Sequence, residues 1–161
     1  MAKVLESNVI SRWGVLVNGQ AGKEDHFFEL VQQRLDEHGW PYPVRAVDVG
    51  TGFFGVKRPY LETKSGKLVA YIGAESIGKD AYFGWSLTLA EPGLFKKAMV
   101  GRDIAVLLFQ RLSFNEANSA RAFASCLNTC VQEAVDIIMD EAGLDKTKVS
   151  REASGPLGRL I

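Results

Sequence analysis

A chain of 161 residues is long enough for one domain with its own core, and 47% hydrophobic with 24% charged residues is an ordinary globular composition. Lys plus Arg and Asp plus Glu both number 19, so the formal net charge is zero. That balance argues against a dedicated nucleic-acid binder, which needs surplus cations against phosphate, and it leaves little long-range repulsion against self-association. The longest unbroken apolar run, Ile104–Phe109, is far too short to span a membrane. The opening residues MAKVLESNVISRW hold no apolar signal-peptide core. A cytoplasmic, reducing location is the expectation, and we find no internal repeat and no low-complexity segment.

In chain order, Ser11–Asn18 reads as a short strand ending at the turn pair Asn18-Gly19. A helix follows over roughly Lys23–His38, with Phe27, Leu30, Val31 and Leu35 at helical spacing. Gly39 fits the left-handed position after its end, and Trp40 can fold back on Leu35. Pro41 and Pro43 prevent continuation. A β region comes next, beginning with a strand at Val44–Val49. Pro59–Lys64 and Lys67–Gly73 flank a Ser65-Gly66 turn, a register that pairs Tyr60 with Tyr71 and Leu61 with Ala70. Asp80–Leu89 is the next strand. A Gly78-Lys79 turn pairs Tyr71 with Ser86 and Ile72 with Trp85, and brings Gly73 opposite Gly84. Both registers give one apolar face (Leu61, Leu68, Ala70, Ile72, Phe83, Trp85, Leu87) and one face carrying Tyr60, Glu62, Val69, Tyr71, Tyr82 and Ser86.

Glu91-Pro92-Gly93 closes the β region, Leu94–Val100 reads as a short helix, and Asp103–Leu112 suits either strand or helix. Ser113 and Glu116 form a capping box that opens a helix reaching about Ala142. Ala120, Phe123, Leu127, Cys130, Ala134 and Ile138 make its stripe, and Gly143 stops it. At 1.5 Å per residue it is about 40 Å long, enough to cross a four-stranded sheet. Residues 150–161 read as a flexible tail after one domain over 1–149.

Several motifs invite chemistry and fall short of it. Gly50-Thr51-Gly52-Phe53-Phe54-Gly55 matches the dinucleotide fingerprint, but Val56-Lys57-Arg58-Pro59 is no helix start to receive a pyrophosphate. Gly19–Lys23 sits between a strand and a helix as a phosphate loop would, yet it is two residues too short and places Glu24 where a magnesium-binding hydroxyl belongs. Cys126 and Cys130, one turn apart in mid-helix, lack the two further ligands a metal needs and the helix N-terminus that would stabilise a thiolate. His26 and His38 have no evident nucleophile nearby in sequence. Lys96, Lys97, Arg102 and Arg111 bracket an apolar stretch, a mix that suits a core element with solvated ends or a membrane-surface helix over 94–112.

The expected architecture is α+β and two-layered: a four-stranded antiparallel meander packed against an N-terminal helix and a long C-terminal helix. The element order resembles that of ubiquitin-conjugating enzymes, and small secretion chaperones also pair helices with such a sheet. The catalytic cysteine of the former lies between sheet and later helices, where Leu89–Ser113 contains none, and the chain has no His-Pro-Asn. No catalytic residue, metal ligand or cofactor site is expected. The leading expectation is a non-catalytic protein–protein interaction protein, an adaptor, chaperone-like or structural accessory subunit that self-associates as a homo-oligomer. Its contact surface is the aromatic outer sheet face, Tyr60, Val69, Tyr71, Tyr82 and Ser86, with Arg12–Val17 as an alternative cover for that face from within. Two other readings stand beside it: a small-molecule or lipid site between sheet and long helix, in space left by Ala120, Ala124 and Ala134, and a peripheral membrane protein contacting the surface through 94–112. An enzyme assembled from distant residues is a third class.

Overall fold

A computed structural model describes residues 9–51, 56–90 and 112–154. The chain is α+β, and among the described residues two α-helices lie on one face of an antiparallel sheet. Its strands are β1 Val9–Val17, β2 Val44–Thr51, β3 Val56–Ser65, β4 Leu68–Ile77, β5 Asp80–Leu89 and β6 Arg151–Ser154. The helices are α1, Glu24–Glu37, and α2, Phe114–Glu141. Sheet order is β2-β3-β4-β5-β1-β6.

Both helices end and begin as their residues dictate. At the C-terminus of α1 the Gly39 amide donates to the Asp36 carbonyl and the Trp40 amide to the Leu35 carbonyl, with Gly39 at φ +68°. This is the two-bond Schellman closure that satisfies the last helical carbonyls. Gly143 repeats it after α2, its amide on Asp140 and that of Leu144 on Met139. At the start of α2, the Ser113 hydroxyl accepts from the Glu116 amide at 3.3 Å, and the Glu116 carboxylate accepts from the Ser113 amide at 2.8 Å.

Four strands were expected, and among the described residues the sheet has six. Arg12–Val17, the alternative cover for the outer face, lies instead in the plane of the sheet as part of β1, hydrogen-bonded to β5 and β6. Alternation explains this: Trp13, Val15 and Val17 point into the core, while Arg12 and Leu16 are exposed. Residues 151–154, expected as part of a tail, form the sixth strand against Arg12–Val15.

The β4–β5 register is the expected one, with Tyr71 opposite Ser86, Ile72 opposite Trp85 and Gly73 opposite Gly84. The β3–β4 register differs by two residues. Tyr60 faces Gly73, Leu61 faces Ile72 and Glu62 faces Tyr71, because the turn is Gly66-Lys67 and not Ser65-Gly66. Both hairpins therefore place glycine first and lysine second, with Gly66 at φ +58° and Gly78 at φ +63°. A first central residue at positive φ matches strand twist, and glycine adopts it without strain. A slip of two keeps every side chain on its expected face, since the period of a strand is two.

The core lies between the sheet's apolar face and the helices. Ala120, Phe123, Leu127, Cys130, Ala134 and Ile138 are all buried. Phe27 of α1 packs on Phe83 of β5 with ring centres 4.7 Å apart, and Trp40, Tyr42 and Phe123 form a second aromatic group. Two indoles of the interior are paired: that of Trp85 donates to Asn128 at 3.0 Å and that of Trp40 to Thr63 at 2.9 Å. His26 meets Glu141 at 2.8 Å and His38 meets Glu133 at 3.0 Å, so the two helices run antiparallel with a histidine clip toward each end of α1. The Leu94–Val100 and Asp103–Leu112 expectations and the membrane-surface reading of 94–112 fall, up to residue 111, outside the described residues.

Candidate functional site

The outer sheet face is built on a row of three glycines. Gly14 of β1 lies opposite Gly84 of β5, which lies opposite Gly73 of β4. Without side chains, the row is a trough running across the strands. Two tyrosines lean into it. A Cβ on Gly14 would sit 1.9 Å from the Tyr82 hydroxyl, and a Cβ on Gly73 would sit 2.5 Å from Cε1 of Tyr60. Each ring thus covers a glycine from a neighbouring strand, a cross-strand contact known to stabilise glycine in sheets. Gly84, between them, stays at the floor of an open hollow of about 180 Å³. Tyr60, Tyr71 and Tyr82 wall it, with Arg12, Glu75 and Ser86.

Of the five residues expected to form a contact surface, Tyr60, Tyr71, Tyr82 and Ser86 line this hollow. Val69 does not reach it: with Val49 and Tyr71 it belongs to a small buried cluster beside the hollow, against which Val47 and Tyr60 pack. The glycine row was half visible, in Gly73 and Gly84. Gly14 was missed because β1 was not placed in the sheet, although the alternation of Trp13, Val15 and Val17 around it carried the signal.

A charged group anchors one wall. Glu62 is buried, and its Oε1 accepts from Arg45 Nε at 2.7 Å and Nη2 at 2.6 Å, with Lys64 Nζ at 3.3 Å. Burial works to raise its pKa, but donation from Arg45, Lys64 and the Tyr71 hydroxyl prevails and holds the carboxyl below the ordinary range. Tyr71 responds in the opposite sense. Burial first, then the Glu62 charge it faces, pushes its phenol up to about 12. Burial also raises Tyr82, reinforced by the Glu152 charge and opposed by Arg12. The Tyr71 and Tyr82 phenols are therefore neutral hydrogen-bonding groups at physiological pH.

The remaining motifs are occupied by the chain's own contacts. In the Gly19–Lys23 loop the Gly19 amide donates to Asp80 at 2.8 Å, the Ala21 amide to the Lys79 carbonyl at 3.1 Å and the Gly22 amide to Ser76 at 2.9 Å. The Ser76 hydroxyl in turn donates to Glu24, the main reason that carboxyl lies below its ordinary value. The loop amides that would cradle a phosphate are spent on the β4–β5 hairpin. After Thr51 the chain resumes as strand β3 at Val56, so no helix follows the glycine-rich stretch; residues 52–55 lie outside the described set. Cys126 and Cys130 are free thiols, and burial, followed by the neighbouring Cys126, pushes Cys130 up to about 12. Among the described residues no three His, Cys, Asp or Glu side chains are grouped to hold a metal. No helix among them is long and apolar enough to cross a membrane. Ala120, Ala124 and Ala134 are completely buried.

Comparison of the chain with protein-family models, with curated proteins and with solved structures finds no match.

Proposed function

We propose that this chain is a non-catalytic interaction protein, an adaptor or accessory subunit, and that the tyrosine-walled hollow on the outer sheet face is where a partner protein seats a side chain. The observation that carries this is the hollow itself. An outer sheet face that only meets water reads polar and flat, whereas this one presents three tyrosines around a glycine floor. Tyrosine suits such a role because its ring buries a large apolar area while its hydroxyl still hydrogen-bonds. Ser86 offers the cleanest test. It is half-buried in the hollow, and Ser86→Arg fills the space without touching the core. The tagged chain and its Ser86→Arg variant are purified from cells that express the chain naturally. A protein that copurifies stoichiometrically with the first and not with the second, at unchanged melting temperature, supports the reading. Equal recovery by both refutes it.

One observation favours a second reading, a small apolar ligand. A hollow of about 390 Å³ at the end of the sheet is lined by Leu68, Leu89 and Leu112 beside the first turn of α2. Native mass spectrometry of the purified protein tests it: a bound mass that disappears in Leu68→Gln supports a ligand there.

A further inference from the structure

The two edges of the sheet are unlike. At one end β6 has four residues, all exposed. At the other, β2 has eight, and among the described residues it pairs only with β3. In an antiparallel ladder alternate backbone groups point to opposite sides, so β3 satisfies one set and the other set faces outward. Natural edges are protected by proline, lysine, bulges or very short strands. Val44-Arg45-Ala46-Val47-Asp48-Val49-Gly50-Thr51 has neither proline nor lysine, and it pairs with β3 through eight consecutive residues without a bulge. Arg45, the one long cation, is folded onto Glu62.

We propose that β2 pairs antiparallel with β2 of a second copy, centred on Val47, to make a dimer with one continuous sheet. An extended strand satisfies this edge with a continuous ladder, and closure, charge and apolar contact together choose the chain's own β2 over other strands. Pairing with the partner's β6 would be heterologous and leave a free β2 on every assembly, whereas β2 with β2 closes about a two-fold axis. That axis stands perpendicular to the sheet, so outer-face residues oppose outer-face residues. Centring on Val47 sets Arg45 opposite Val49 and Ala46 opposite Asp48, with no like charges facing, whereas centring on Asp48 would oppose two carboxylates. The same register also joins the two Val47, Val49 and Tyr71 clusters across the axis into one apolar strip. Zero net charge leaves the approach unopposed.

Sedimentation equilibrium of the whole chain from about 1 to 100 μM tests this together with two variants. Wild type is expected at twice its 17.7 kDa mass. Val47→Lys is expected to be monomeric with an unchanged far-ultraviolet circular dichroism spectrum. Val47→Cys places two thiols on the axis with Cα atoms ~4.5–5.5 Å apart, within disulfide reach, and is expected to run as a covalent dimer after mild oxidation where wild type does not. A monomeric wild type, a dimer that survives Val47→Lys, or a dimer whose Val47→Cys thiols do not join overturns the proposal. If Val47→Lys does not fold, the Val47→Cys cross-link decides. Ser86→Arg leaves this edge intact, so loss of the hollow's partner and loss of the dimer are separate results.

Discussion

Tyr71 and Glu62 are shifted in opposite directions: burial and then the Glu62 charge raise the phenol, while burial of the Glu62 carboxyl is outweighed by donation from Arg45, Lys64 and Tyr71. The Tyr71 phenol, raised to about 12, stays neutral after an unfolded tyrosine would have ionised. Its contribution to stability is complete below the ordinary value of 10.0 and is lost as pH rises from there through about 12. Glu62 has the opposite sign: its depressed carboxyl contributes above the ordinary carboxylate range, and that contribution fades as pH falls through its folded value. In an alkaline titration of tyrosinate absorbance, the Tyr71 phenol should lag to near pH 12 while the chain remains folded. Glu62→Gln should bring it earlier, since the carboxylate charge is part of what delays it. A Tyr71 phenol whose midpoint is the same in Glu62→Gln as in the wild type would show the Tyr71–Glu62 contact to be wrong. The glycines of the row differ in the same residue-level way. A Cβ on Gly84 would come within 2.5 Å of the Trp13 carbonyl oxygen, which is backbone and cannot yield, so Gly84→Ala should cost about 1–3 kcal/mol. Gly14→Ala meets only the mobile end of Tyr82 and should cost less, swinging the ring toward the hollow. Thermal melts that rank the two in the reverse order would contradict this account.

Helix α2 shows what a 28-residue element needs in order to be stable: a cap at each end and a continuous apolar stripe. Leu127 is fully buried at the middle of that stripe, so Leu127→Ala should cost roughly 2–5 kcal/mol. A loss below about 1 kcal/mol in denaturant unfolding would mean that the stripe faces something other than the sheet. Cys130 lies on the same stripe, and its raised pKa leaves almost no thiolate near neutral pH. It should react with a thiol reagent only after denaturation. Rapid reaction of both cysteines in the native protein would show that α2 opens readily. The histidine clips add little to this packing, because His26, His38 and their glutamates are each more than a third exposed and such pairs contribute about 0–1 kcal/mol.

For the whole molecule, the decisive fact is that the first and last strands of the described residues meet. β1 follows residues 1–8, β6 precedes 155–161, and they lie side by side with Trp13 opposite Ala153. Arg151 also reaches back to Asp136 of α2 at 2.6 Å. Removing residues 151–161 should therefore lower the melting midpoint by several degrees and promote association through the uncovered edge of β1. A true tail would be removed without effect on either. Among the described residues β6 covers the outer edge of β1, whereas no strand lies beyond β2.

Much of this was legible in the residues themselves because it depends on local chemistry. Ser113 and Glu116 open a helix wherever they occur at that spacing before an apolar stripe, and Gly39 ends one because glycine adopts positive φ without strain. The faces of β3, β4 and β5 followed from a period of two, and survived an error in the Gly66-Lys67 turn for the same reason. The outer tyrosines were visible as a group for that reason too. What only the tertiary structure decided is non-local. Nothing in Ser11–Asn18 or Arg151–Ser154 says that these segments flank each other at the far side of β5, because strand pairing over more than a hundred residues is chosen by the closure of the whole sheet. Gly14 acquires meaning only beside Gly84 and Gly73, and Tyr82 becomes a wall only because a strand distant in sequence supplies the glycine it covers. Residue spacing determines which side of an element is apolar; the packing of all elements together determines which side chains share a site.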